Sequence, residues 1–315
     1  MFLVIVLYML MASTFTFAKA ALFYAPPILF IGVRMTLAGI MLLSYLWFRS
    51  PSQLHIERKH WHLIAQIILF HIYGAYIFEF VGLRFVSSSK ACLLYNLMPF
   101  ITALFSYLLL GTRLTRTQMI ALCIGFLGFI PMMFSTSAQE ISGGSLLGIS
   151  TGELLIIGSV CCAVQGWMVM KILVRSGYSP ITINGMGMLV GGVLALITSL
   201  LVEGMPHLVQ QQGELTFPLH TWLAQYNGSP LFMCAVYTVL LIIIANIIAY
   251  NLYGYLLRTY SATFMSFAGF TAPLFAVVYG WLLLGETVTA WFFVSLIIVF
   301  YALYLFYQDE LGTNT

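Results

Sequence analysis

Charge is what this 315-residue chain has least of: only 12 basic and 9 acidic side chains, 7% of the total. Water-soluble domains carry about 25%, so an ordinary soluble globule is excluded. The five cysteines form no CxxC pair and show no metal-ligand spacing, which argues against a disulfide framework or a structural metal centre. HExxH and paired intramembrane aspartates are absent as well, so these motifs of an intramembrane enzyme are missing. No metal, cofactor or nucleic-acid partner is expected.

Apolar sequence is abundant, 62% of the residues. Ten runs approach the roughly 20 residues that cross a bilayer: 2–24, 27–48, 61–82, 89–110, 116–134, 150–172, 180–203, 231–256, 262–284 and 288–308. Hydrocarbon offers no hydrogen bonds, so each run is predicted to be a helix. Barrel strands would be shorter and alternating. The cations at helix ends favour cytoplasmic termini. Arg49, Arg58, Lys59, Arg113, Arg116, Lys171, Arg175 and Arg258 then lie inside, and Lys19, Arg34, Arg84 and Lys90 lie toward the other face.

A shift of 174 residues aligns 83–115 with 257–289, pairing Arg84 with Arg258, Ser87 with Ser261, Pro99 with Pro273 and Gly111 with Gly285. Earlier in the chain Lys19 matches Lys171, and Pro27, Gly32, Met35 and Gly39 match Pro180, Gly185, Met188 and Gly192. This reads as two repeats, 1–134 and 150–308, with a polar linker at 135–149 and a tail at 309–315. Five helices per repeat is an odd number, so the second repeat should enter the membrane inverted. That arrangement is typical of carriers with a midplane site between the halves.

The motifs FTFAK (15–19), Pro27 with Arg34 and Ala38, SSKACLLYNLMPF (88–100), LLLG (108–111), GFLGF (125–129) and TAPLFAVVYGWLLLGE (271–286) follow in order along nearly the whole chain. In these the chain resembles the drug/metabolite transporter superfamily, in its bacterial-type ten-helix EamA branch. Arg113 departs from the acid that the family usually carries after the first LLLG. The resemblance implies an inner-membrane carrier of a small polar or amphipathic metabolite, amino-acid-like first, working by alternating access through a cavity between the repeats. Uptake of a nucleotide-like compound such as S-adenosylmethionine is the alternative. A non-transporting scaffold or an intramembrane enzyme is the rival from another class.

Polar groups inside a bilayer are costly, which makes them candidates for function. The third span carries His71, Tyr76 and Glu79, and the eighth carries Asn246, Tyr250 and Tyr253. Positions 246, 250 and 253 share one face of an α-helix, and the 174-residue shift maps Tyr76 onto Tyr250 and Glu79 onto Tyr253. These stripes are expected to wall the cavity, although the same side chains serve equally as helix–helix glue. Glu79 could bind a substrate ammonium or carry a proton, with His71 as a conceivable relay partner. Pro99 and Pro273 should kink their helices and free the carbonyls of Tyr95 and Gly269, placing Tyr95 and Asn96 beside an available acceptor. Lys19, Arg34 and Lys90 form a candidate cationic outer vestibule, with snorkelling to the interface as the bland reading.

Overall fold

The computed structural model describes residues 2–86, 91, 94–111, 114–133, 145–146, 149–204, 229–284 and 290–313. Arg113, Glu286 and Lys90, together with the side chain of Lys19, lie outside the described residues. Ten helices are present among the described ones. In the first half they are α1 (Phe2–Ala21), α2 (Pro27–Arg49), α3 (Arg58–Gly82), α4 (Met98–Leu110) and α5 (Arg116–Met133). The second half contributes α6 (Thr151–Arg175), α7 (Pro180–Val202), α8 (Pro230–Leu256), the two-piece α9 (Ala262–Ala268 and Ala272–Leu284) and α10 (Ala290–Thr313). Helix α10 therefore continues through most of the stretch expected to be a tail. In the linker Ser145–Leu146 pairs antiparallel with Ile149–Ser150.

The irregularities repeat as faithfully as the helices. Helix α3 widens to a π-helix at Ile67–Gly74 and α8 does so at Ile242–Ala249. A 3₁₀ turn, Tyr95–Leu97, leads into α4 just before Pro99, and Gly269–Thr271 joins the pieces of α9 just before Pro273. A proline cannot donate to the carbonyl four residues back, and the tighter turns sit where those carbonyls fall. In α8 the side chain of Asn251 serves the widened turn: its Nδ2 donates to the carbonyls of Asn246 (3.2 Å) and Ile247 (2.8 Å).

The packing of α2 on α7 shows how the halves are related. A Cβ on Gly32 would meet Leu196 Cδ2 at 2.8 Å, and one on Gly185 would meet Leu43 Cδ2 at 2.9 Å. Gly39 presses on Leu189, and Gly192 on Thr36. Gly32 and Gly185 are repeat-equivalent, and so are Leu43 and Leu196, Gly39 and Gly192, and Thr36 and Leu189. Each contact thus recurs with its roles exchanged, the signature of a two-fold relation. Moving along α2 from 32 to 43, the partner on α7 falls from 196 to 185, so the two helices run antiparallel. The two-fold axis is therefore perpendicular to them, and the second repeat is inverted.

Both ends of this pair are tied. Helix α2 opens on Pro26–Pro27 with no side-chain cap of its own. Glu203, at the end of α7, accepts from Ile28 N (3.0 Å), Leu29 N (2.8 Å) and Ser199 Oγ (2.8 Å). At the other end Thr182 Oγ1 donates to the Gln53 carbonyl at 2.9 Å. Helix-end donors left without a cap cost about 0.5–2 kcal/mol. The variant Glu203→Ala should therefore lower stability by about 1 kcal/mol or more, read as a fall in the unfolding temperature of the purified protein, with substrate affinity unchanged.

Large apolar side chains such as Phe48, Leu201 and Ile297 are mostly exposed, as they must be where lipid tails replace water as solvent. The chain is an all-α integral membrane protein.

Candidate functional site

Tyr76 of α3 and Tyr250 of α8 are repeat-equivalent, and their rings stack on each other, with centroids 6.1 Å apart at 29°. A residue that touches its own equivalent sits beside the two-fold axis. Around this pair lies a cavity of about 110 Å³ of space open to the centre of a water molecule, several times the 10–15 Å³ or so that one water needs. Its walls come from α1, α2, α3, the turn before α4, α6, α8 and α9, so both halves build it.

The wall is mainly aromatic. Trp167 of α6 stacks on Tyr253 at 3.7 Å and 21°, and lies 5.0 Å from Tyr250. Phe15 meets Tyr95 edge-on at 5.2 Å. Tyr8 closes the side next to Tyr253 and donates its hydroxyl to the Met265 carbonyl.

Glu79 brings the negative charge. Its Oε2 accepts from Tyr95 Oη at 2.9 Å; Tyr95 Oη is 2.8 Å from Ser159 Oγ, which donates to the Ala75 carbonyl at 2.7 Å. Ser159 belongs to the second half and Glu79 to the first, so this chain fixes the carboxylate across the seam. Arg34 brings the positive charge. It is 1% exposed, with Cζ 4.9 Å from the Tyr76 ring centroid and 5.1 Å from that of Phe80. Both charges come from the first half. The second half has Tyr253 where the first has Glu79, and Gly187 where it has Arg34.

Tyr76, Glu79, Tyr95, Asn96, Tyr250 and Tyr253 all line this cavity. Asn246 does not. It is fully buried between α2 and α7, with Nδ2 3.1 Å from Met35 Sδ and 3.6 Å from Met188 Sδ. The face 246–250–253 assumed 3.6 residues per turn. The π-helix widens the turn through Asn246, so Ala245 and Ala249 face the cavity in its place.

His71 also lies outside the cavity, wedged behind its wall against Trp167 (4.2 Å) and Tyr250 (5.2 Å). Among the described residues no hydrogen bond links it to Glu79, whose Oε2 accepts from Tyr95, so the proposed relay has no direct contact. Arg34 was expected at an outer vestibule and instead lines the central cavity.

Trp167, Phe15 and Tyr8 are wall residues that the sequence reading missed. One signal existed: Phe15 and Trp167 each stand four residues before the matched lysines Lys19 and Lys171.

The model of the EamA-like transporter family matches residues 1–134 and 150–308, and the chain belongs to that family. It is 35% identical over 282 residues to the "S-adenosylmethionine/S-adenosylhomocysteine transporter" of Chlamydia trachomatis serovar L2, covering 88% of this chain and 79% of that protein. The protein of the same name from Chlamydia muridarum is 33% identical, with 88% and 81% covered. The inner membrane transporter YedA of Escherichia coli K12 is 27% identical over 300 residues, 95% of this chain and 87% of its own. One crystal structure superposes with a TM-score of 0.71 over 100% of this chain and 97% of that one, at 16% identity, which shows a shared fold. With its family and its central cavity, the protein is a membrane transporter of small metabolites.

Proposed function

We propose that the protein carries S-adenosylmethionine and S-adenosylhomocysteine across a bacterial inner membrane by alternating access, with both termini cytoplasmic, as a carrier and not as an enzyme. The observation that carries this reading is the Glu79 carboxylate held inside a cavity walled by stacked aromatic rings. Each of the two ligands joins an α-amino acid to an adenosine. The ammonium suits Glu79, the adenine suits the face of an aromatic ring, and the sulfonium of the methylated form suits ring faces through cation–π attraction. The relatives that share about a third of the residues bear the names of these two compounds. The repeats are taken as 1–134 and 150–308 around the linker. Alternating access then requires the halves to part on one face and close on the other around the ligand.

The direct test is a titration of the purified protein followed by its unfolding temperature. S-adenosylmethionine and S-adenosylhomocysteine should each raise it saturably, while adenosine 5′-phosphates should not. A flat response to both compounds would overturn the assignment. Base stacking on an aromatic side chain contributes about 1–3 kcal/mol, so Trp167→Ala should weaken binding of both compounds about tenfold, measured in the same titration.

A further inference from the structure

The amino-acid head has a second charge, and the cavity has an answer to it that Glu79 does not supply. Arg34 is buried at the cavity wall, and among the described residues neither Nε nor Nη2 has a hydrogen-bond partner. No ion pair within 4.0 Å joins it to Glu79, whose Oε2 is already taken by Tyr95. The Tyr76 and Phe80 rings beside the guanidinium and a side-chain hydrogen bond between Arg34 and Tyr76 soften its burial, but they leave Nε and Nη2 unmet. An arginine cannot shed its proton, and an ionised group kept from water is costly unless paired. Asn96, 5% exposed, lines the same cavity and its Nδ2 likewise lacks a partner. Residues on two elements thus line one cavity, and Nε and Nη2 of Arg34 and Nδ2 of Asn96 have no acceptor among the described residues.

We propose that Arg34, with Asn96, is the receptor for the substrate's α-carboxylate, so that the site takes α-amino acid heads and rejects the corresponding decarboxylated amines. The proposal rests on the reading that this cavity holds the substrate. A planar carboxylate matches the guanidinium fork. Glu79 and Arg34 also cancel in charge, so a zwitterionic head completes both without leaving a net charge in the low-dielectric interior. A phosphate group fits less well: it would satisfy Arg34 but bring further negative charge beside Glu79.

The experiment compares matched pairs on the purified wild-type protein: S-adenosylmethionine against its decarboxylated amine, and tryptophan against tryptamine. The readout is the ligand-induced rise in unfolding temperature. In each pair that binds, the carboxylate-bearing member should bind at least tenfold more tightly. In Arg34→Met the gap should shrink to less than threefold, and Arg34→Lys should keep part of it. Equal binding within the pairs, or no binding by any member, overturns the proposal. The wild-type comparison stands even if the Arg34 variants fail to fold. If S-adenosylmethionine does not bind while the tryptophan pair discriminates, the adenosyl reading falls and the carboxylate receptor stands. If S-adenosylmethionine binds no better than its amine, the reverse holds.

Discussion

Glu79→Gln should abolish most transport while leaving the amount and dispersity of the purified protein unchanged. The amide keeps the shape of the carboxylate and one oxygen to accept from Tyr95, so the chain through Ser159 to the Ala75 carbonyl is retained. What is lost is the negative charge facing a cationic ligand. Hydrogen bonds to charged groups contribute about 1.5–3 kcal/mol, and they gain strength where water is excluded. The expected result is a fall of roughly 10- to 100-fold in initial uptake rate at low substrate concentration, measured in proteoliposomes matched for protein content. Uptake equal to wild type at every substrate concentration would remove Glu79 from the site.

The second large effect is on the scaffold. Gly39→Val should destabilise the protein severely, because the added carbons would fall onto the Leu189 backbone, with Leu189 Cα at 2.7 Å from the first of them. A side-chain tip can swing away; a helix backbone can retreat only by parting α2 from α7. Overpacking of this kind costs about 1–3 kcal/mol and occasionally more. The two-fold relation adds a sharper expectation. Gly192→Val presses on the Thr36 backbone at the equivalent place and should lower the unfolding temperature by a similar amount. Gly158→Ala is the control: its new carbon would come no closer than 3.4 Å to the Phe78 ring, and the protein should tolerate it. Equal stability of all three variants would contradict the tight antiparallel seam.

Much of this architecture is legible in the sequence, because a bilayer leaves the backbone few options. Helix number, the repeat and its inversion follow from apolar length and the pairs Pro27/Pro180, Gly32/Gly185 and Gly39/Gly192. The paired prolines similarly announce the 3₁₀ turns at Tyr95–Leu97 and Gly269–Thr271. The cavity was legible wherever an α-helical face stays in phase, as it does for Tyr76 and Glu79 in Ala75–Gly82 and for Tyr250 and Tyr253 in Tyr250–Leu256.

The sequence misleads where the helix changes pitch. The π segment of α8 carries no proline or glycine that would reveal it and that of α3 only the closing Gly74, and they turned Asn246 into the α2–α7 seam and His71 behind Trp167. Arg34 was misplaced for a different reason. Depth in the membrane was inferred from position along a helix, whereas a long side chain on α2 settles against Tyr76 and Phe80 once those rings stand inside the bundle.

The most direct measurement is counterflow. Proteoliposomes loaded with unlabelled S-adenosylhomocysteine are placed in a low concentration of labelled S-adenosylmethionine. If one cavity serves both faces in turn, label should accumulate transiently above the level reached in empty vesicles, with a rate that saturates as external substrate rises. Label entry that is linear in concentration and indifferent to the internal pool would describe a pore, and no entry at all would describe a scaffold. Either result would contradict a carrier built around a shared central site.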